Sequence, residues 1–251
     1  MIGRDFQPVL ADTREGHAVH YRIRYNTFCL ETGFEPAEQF PDEEERDAYD
    51  ARSVHFLVRN RHDGRWVATM RLILRGPHGL QIQHLCELNP EMRRRIADGL
   101  VAEASRLAII GLPPGDAAAG SALRNRPDGT LLDRLVGRRA SPQVLIKLLQ
   151  AAGYYCLQHG IDDLACLMRP TLARLVTEMG IPISACGKPC QHRGARIPHA
   201  VSCLSLQSAL DRIAVAGTTP CNNEPYILFS ELDRPSVPYP ARAPIRTHQA
   251  S

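Results

Sequence analysis

Val101-Ala-Glu-Ala-Ser-Arg-Leu-Ala-Ile109 reads as an apolar strand interrupted by a carboxylate, a hydroxyl and a guanidinium. A buried charge is costly unless it is paired or handles a polar ligand, so Glu103 and Arg106 need a reason to be there. In a regular strand, side chains three apart point to opposite faces and would not share a site. A β-bulge between Glu103 and Arg106 turns both to one face and leaves backbone N–H groups unpaired. A carboxylate, a cation and free amides then converge in one cleft, which is the equipment of an acyl-transfer site. The competing account is a structural ion pair at a strand end, and this stretch taken alone favours it.

Upstream, Asp12 or Thr13 can cap a helix that runs to about Glu31 and stops at Gly33. Val19, Ile23 and Leu30 lie on one apolar stripe, and Tyr21, Tyr25 and Phe28 repeat at helical spacing beside it. Arg24 sits between the stripes, where an arginine usually snorkels to water unless acids converge on it. Acids follow in Pro41-Asp-Glu-Glu-Glu-Arg-Asp-Ala-Tyr-Asp50. Most such runs are solvated loops, but this one leads into the alternating strand Val54-His-Phe-Leu-Val58. The turn Arg61-His-Asp-Gly-Arg65 then closes a hairpin with Trp66 to Leu74. Arg71 in that second strand shares a face with Thr69 and Ile73. Arg24, the acids at 45 to 50, Arg71, Glu103 and Arg106 are thus presented by one small unit.

Composition excludes several classes. The 251 residues are 44% hydrophobic and 23% charged, which fits a globular chain with a substantial core. A formal net charge of +3 is too small to argue for nucleic acid, and no aromatic-interleaved basic stripe appears. Met1 to Gln7 lacks the apolar core of a secretory leader, and no run is long enough to span a bilayer, so a cytoplasmic chain is expected. The eight cysteines lie in apolar surroundings, and most read as buried thiols. Cys186-x3-Cys190-x-His192 lacks the second knuckle of a structural zinc site, so no metal is expected.

The C-terminal half begins after Leu112 to Ala140, a breaker-rich stretch read as an insertion with one short helix near Leu131 to Val136. Ser141-Pro142 starts a helix that ends at Gly160. A strand at Ile161 to Met168, a helix at Thr171 to Met179, strands at Ile183 to Gly187 and Ile197 to Leu204 joined through Arg193-Gly194, and a helix at Leu206 to Ala216 follow. The Pro-rich tail from Pro220 reads as extended or disordered. The whole is an α/β chain, with a mixed sheet covered by helices over residues 1–216, an insertion at 112–140 and a tail at 217–251.

The ordered set Arg24-x3-Phe28, Glu45-x-Asp47-x2-Asp50, Arg71 and Glu103-x-Ser105-Arg106 resembles the acyl-homoserine-lactone synthases and the long-chain N-acyl amino acid synthases. Tyr21 to Phe28, Ser53 to Val58 and Gly187-x4-His192-Arg-Gly-x-Arg196-x-Pro198 look closest to the acyltransferases of exosortase (PEP-CTERM) systems. The resemblance implies a GNAT-like fold whose mixed central sheet splays between its fourth and fifth strands, here the Val101 run and Ile161 to Met168. The long insertion occupies the place of the Gly-rich pyrophosphate loop of ordinary GNAT enzymes. Acyl carrier protein is therefore expected as donor ahead of coenzyme A, with no cofactor. Phe34 stands where homoserine-lactone synthases typically carry tryptophan, which favours an amino acid over S-adenosylmethionine as the amine.

The expected reaction moves a long-chain fatty acyl group from acyl carrier protein to an amino acid. The alternatives are an acyl-homoserine-lactone synthase using S-adenosylmethionine and a non-catalytic lipid-binding relative. Glu103 is the expected general base, and backbone N–H groups near Ser105 to Leu107 the oxyanion hole. Arg71 and Arg106 suit a substrate carboxylate. Glu45, Asp47 and Asp50 either position the ammonium group or lock Arg24 and the lid. Phe28 and Phe34 either line a pocket or pack in the core. The acidic carrier protein needs a basic face, for which Arg93, Arg94, Arg138, Arg139 and Lys147 are candidates, and contact with a membrane surface is left open.

Overall fold

The computed structural model describes residues 5–110, 142–215 and 225–232. The insertion with its short helix, the Ser141 cap, Arg138, Arg139 and most of the tail lie outside the described residues.

The chain starts with a strand that the sequence reading omits, β1 (Phe6–Leu10). Pro8 in its middle argues against a central strand, and β1 lies near the rim of the sheet, where a missing N–H is tolerated. Thr13 then caps α1 (Arg14–Arg24), its hydroxyl accepting from Gly16 N–H at 3.0 Å. The helix continues as a π-helix, Tyr25–Glu31, instead of the expected α turns. Strands β2 (Ser53–Asn60) and β3 (Trp66–Ile73) form the expected hairpin, whose turn is made possible by Gly64 at φ +71°. Two short helices, α2 (Gln81–Leu85) and α3 (Pro90–Ala97), lead to β4 (Val101–Ile109). Asn89 caps α3 with Pro90 at its first position, so the basic helix expected at residues 93 to 95 is present. The remainder is α4 (Pro142–Gln158), β5 (Asp163–Met168), α5 (Pro170–Glu178), β6 (Ser184–Ala185), β7 (Cys190–Gln191), β8 (Ala195–Ser202), α6 (Cys203–Val215) and β9 (Ile227–Leu228).

The sheet runs in the order β6-β8-β5-β4-β3-β2-β1-β9, with β7 attached to β8. It is mixed, because β4 and β5 are parallel while β2, β3 and β4 alternate in direction. Parallel pairing of β4 with β5 covers Val101 to Ala104 against Asp163 to Cys166 and stops there, so the two strands part over the second half of β4. This is the GNAT-like architecture, with its opening at the expected place.

Helices α4, α5 and α6 cover one face. Val144, Leu148, Val176, Leu206 and Leu210 pack there on Phe56, Met70, Leu72, Ala102 and Leu164. On the other face α2 and α3 bury Ile82, Met92 and Ile96 against Ile73 and Val101, and α1 contributes Ile23 beside Leu57 and Ala108. Residues of β3 and β4 that point to this second face include Arg71 and Glu103, so this face carries the charges while the face under α4, α5 and α6 is apolar.

Residues 225–232 do not run free as the tail reading expects. β9 pairs in parallel with Val9 and Leu10, and Phe229 stacks on Trp66 with ring centroids 5.7 Å apart. Gly16 makes this contact possible, since a Cβ there would lie 2.9 Å from the Phe229 ring. Cys86 and Cys190 form a disulfide, which sets these two apart from the cysteines read as buried thiols and removes Cys190 from the Cys186 and His192 cluster. Among the described residues, no helix is long and apolar enough to cross a membrane.

Candidate active site

Opposite Arg71, the neighbouring strands place His55 on β2 and Ser105 on β4. The register then shifts: Thr69 pairs with Ala108, so Arg106 and Leu107 together face Met70. The bulge therefore lies at Arg106 and Leu107, one step later than the sequence reading put it, and pairing from Glu103 to Ser105 is regular. Its effect is the expected one. Arg106 adopts the left-handed conformation, φ +52°, and turns its side chain to the face already occupied by Glu103 and Ser105. Leu107 turns to the opposite face and packs in the main core.

On that face the charges form one network. Arg24 Nε donates to Glu45 Oε2 at 2.5 Å and its Nη1 to Asp50 Oδ1 at 2.6 Å. Arg71 Nη1 donates to Asp47 at 2.5 Å and to Asp50 at 3.0 Å, and its Nε to Ser105 Oγ at 3.0 Å. Arg106 Nη2 donates to Glu45 and to Glu35, each at 3.0 Å, and Arg193 also pairs with Glu35. Four guanidiniums thus meet four carboxylates. The sequence-derived set omits Glu35 and Arg193; it contains Phe34 next to Glu35, and Arg193 only as part of a turn and of the Gly187 to Pro198 motif.

The network explains how Arg24 and Arg71 can be fully buried. Burial alone would raise the pKa of Asp50, but Arg24 and then Arg71 overcome it and hold the carboxyl at about 2. Burial opposes ionisation of Glu45 as well, and Arg24 and Arg106 bring its pKa below the usual range. Arg71 and Arg106 were expected to receive a substrate carboxylate. In the structure these two side chains hold Asp47, Asp50, Glu45 and Glu35.

Glu103 stands apart from the network. Its Oε2 accepts from Ile82 N–H at 2.8 Å, and no guanidinium among the described residues pairs with it. Burial pushes its pKa up to about 7, against the backbone hydrogen bond and the more distant Arg71. A carboxyl that changes charge near neutrality, at the level where β4 leaves β5, has the properties of a general base.

Beneath Arg24 lies a buried polar group that the sequence did not reveal. Thr69 Oγ1 donates to Phe56 C=O at 2.9 Å, so His20 Nδ1–H donates to the threonine. His20 Nε2 is then an acceptor, taking Arg24 Nη1–H at 3.2 Å and His55 Nδ1–H at 3.1 Å. Burial lowers the pKa of His55 to about 3, partly opposed by Asp50, and also lowers that of His20. Spacing of four residues between His20 and Arg24 was the available signal. His20, Asp50 and His55 bring ligand atoms within 4.8 Å of one another. Two of these groups already accept from Arg24, and the adjacent guanidiniums make the set a poor fit for a cation.

Phe28 lies under Arg106, with the guanidinium carbon 5.6 Å from the ring centroid. Arg169 and Arg193 both lie over the Phe34 ring, their guanidinium carbons 5.5 and 6.0 Å from its centroid. The proposed basic face is not assembled among the described residues. Arg93 and Arg94 are exposed on α3, with Arg93 also bonded to Leu88 C=O, while Lys147 is on α4 across the sheet.

Residues 23–111 match the family described as acetyltransferase (GNAT) domain. No curated protein matches the chain. Among solved structures, the CoA-dependent acyl-homoserine lactone synthase BjaI, with SAM and isopentyl-CoA, is 21% identical at a TM-score of 0.52, covering 84% of this chain and 89% of that one. TofI, in a ternary complex with an inhibitor and MTA, is 19% identical at a TM-score of 0.56, covering 82% and 96%. FeeM, an N-acyl amino acid synthase from uncultured soil microbes, is 16% identical at a TM-score of 0.50, covering 81% and 95%. These likenesses establish a shared fold.

Proposed function

From a chain that carries a GNAT acetyltransferase domain in the fold of the acyl-homoserine lactone and N-acyl amino acid synthases, we propose an N-acyltransferase. It moves a fatty acyl group from a thioester, with acyl carrier protein as donor, to the amine of an amino acid. The observation that carries this reading is Glu103, a buried carboxyl with its pKa near 7 beside the gap between β4 and β5.

In the reaction the amine nitrogen attacks the thioester carbonyl and gives up a proton to Glu103, directly or through water. The tetrahedral oxyanion is held by backbone N–H groups at the Ser105 to Leu107 bulge. Collapse breaks the C–S bond, and the thiolate leaves with the proton returned from Glu103. The Arg24, Arg71 and Arg106 network fixes the acidic segment and the bulge in place, so the oxyanion donors need not reorganise during the reaction.

The fold shared with BjaI and TofI favours a second reading, an acyl-homoserine lactone synthase using S-adenosylmethionine. Phe34 supports the first. Incubating the protein with acyl carrier protein thioesters and either mixed amino acids or S-adenosylmethionine, with products read by mass spectrometry, separates them. N-acyl amino acids support the proposal and lactones replace it. Bound thioester without any product points to the non-catalytic lipid-binding relative.

A further inference from the structure

Glu103 and the charged network are joined by one side chain. Arg71 uses Nη1 for Asp47 and Asp50 and Nε for Ser105, and its Nη2 donates to Gln81 Oε1 at 3.3 Å. Gln81 opens α2, and the backbone of that first turn faces Glu103. Ile82 N–H donates to the carboxylate at 2.8 Å, and Gln81 N–H acts on it as well. The side chain of Gln81 thus holds the network while its backbone serves the base.

A helix of five residues is too short to persist by itself, so the ties around α2 decide where its N–H groups point. Leu80 and Ile82 are buried with Ile73 and Val101 and anchor it to the sheet. Arg52 donates to the Gly79 carbonyl just before it, and the disulfide to Cys190 fixes Cys86 just after it. These contacts set the depth of the helix and its far end. The aim of its first turn is set by the bond from Gln81 to Arg71, which is a firm support because Asp47, Asp50 and Ser105 hold it too.

We propose that Gln81 is a positioning residue, which keeps the first turn of α2 aimed at Glu103 and so holds the carboxylate ready to take the proton of the amine. This rests on the acyl-transfer reading. A carboxylate that accepts N–H bonds is stabilised in its ionised form. Loss of the Gln81 tie lengthens those bonds and carries the pKa of Glu103 further above about 7. Among the described residues, the other groups that act on Glu103 are Arg71 on β3, Arg52 ahead of β2 and Cys166 on β5. Arginine is a cation at every working pH. Burial pushes the Cys166 thiol up to about 12, so it stays neutral. None of these three changes charge near pH 7, and Arg71 keeps its place through its other partners.

The test uses the full chain with Gln81→Met, which keeps the length of the side chain and removes the acceptor, and Gln81→Ala, which removes the side chain at this half-buried position. Thermal melts show which variants fold, and if one does not, the other decides. The Glu103 carboxyl is titrated by NMR in protein carrying labelled glutamate, with Glu103→Gln assigning its signal. The acid limb of kcat/KM is measured with acyl carrier protein thioesters and mixed amino acids. Both should move up by about one pH unit, so that kcat/KM falls about tenfold at about pH 6 and changes little at about pH 9. An equal loss at every pH with an unmoved carboxyl titration marks a merely structural residue and overturns the proposal. A downward shift also overturns it, because Arg71 has then turned to Glu103 itself. If the carboxyl titration moves up but native protein forms no acyl product, the positioning of Glu103 by Gln81 stands and the acyl-transfer reading fails. If products form and neither readout moves, the reading stands and the assignment of Gln81 fails.

Discussion

Arg24 and Asp50 meet at 2.6 Å, Nη1 to Oδ1, with their side chains 0% and 6% exposed. The pair closes α1 onto the sheet through a loop 26 residues further on, and the same oxygen takes Arg71 from β3. Such a contact is costly to break from one side, because the surviving charges have no access to water.

Arg24→Met should therefore destabilise the protein by about 3–5 kcal/mol, since it leaves both Glu45 and Asp50 short of a buried cation. Urea denaturation measures this directly. A loss below about 1 kcal/mol, the value of an exposed pair, would show that water reaches the network.

Asp50 should also make the fold acid-sensitive in a defined window. Its carboxyl, at about 2 when folded against 3.8 as the ordinary value, stabilises the native state above about pH 4, and that contribution is lost as pH falls through about 2. Asp50→Asn removes this contribution at neutral pH and flattens the stability curve between those values. An unchanged slope below pH 4 would refute the assignment.

His55 acts in a higher window. Its folded pKa of about 3 lies below the ordinary 6.5, so the unfolded chain binds more protons between those values. Stability attributable to His55 is full above about pH 6.5 and declines as pH falls toward 3. Chemical denaturation at a series of pH values should show a shallower decline for His55→Gln, and parallel curves would place the slope on other groups.

For Glu103, activity should require the ionised form. The kcat/KM of the native enzyme should fall as pH drops below about 7, and Glu103→Gln should lose about 10²- to 10⁴-fold together with that pH limb. Stability runs the other way, because the raised pKa favours the protonated fold. That contribution is present below about 4.5 and lost as pH rises through 7, so the variant should gain stability relative to native protein at pH 8. Full activity in Glu103→Gln would remove the base assignment.

The charged positions were legible because burial makes them anomalous: Arg71 and Glu103 interrupt strands whose remaining residues are apolar. The hairpin and the cap of α1 were legible from turn and capping chemistry at Gly64 and Thr13. Partnership was less visible. Nothing local tells whether Arg106 faces a ligand or Glu45, since the two are 61 residues apart in sequence. The site of the bulge is a property of two strands, and only Met70 facing both Arg106 and Leu107 fixes it. The buried His20 and His55 pair was hidden for the same reason, as was β1, whose Pro8 obscures a strand that tertiary pairing restores.

The bulge has one more consequence. In β4 the core face is built by Ala102 and Ala104 and then by Leu107 and Ile109, so the inward positions change from even to odd at Arg106. Subtracting that single residue restores unbroken parity: Leu107 follows Ser105, and every other side chain keeps its native face. The strand is thus an ordinary one with a single insertion. A chain lacking Arg106 should fold with a plain ladder between β3 and β4, measurable as native-like circular dichroism and a cooperative melt, while its acyl-transfer activity disappears. Within β4 the single residue Arg106 then separates the bulged strand from a plain one, with Glu103 left on its native face.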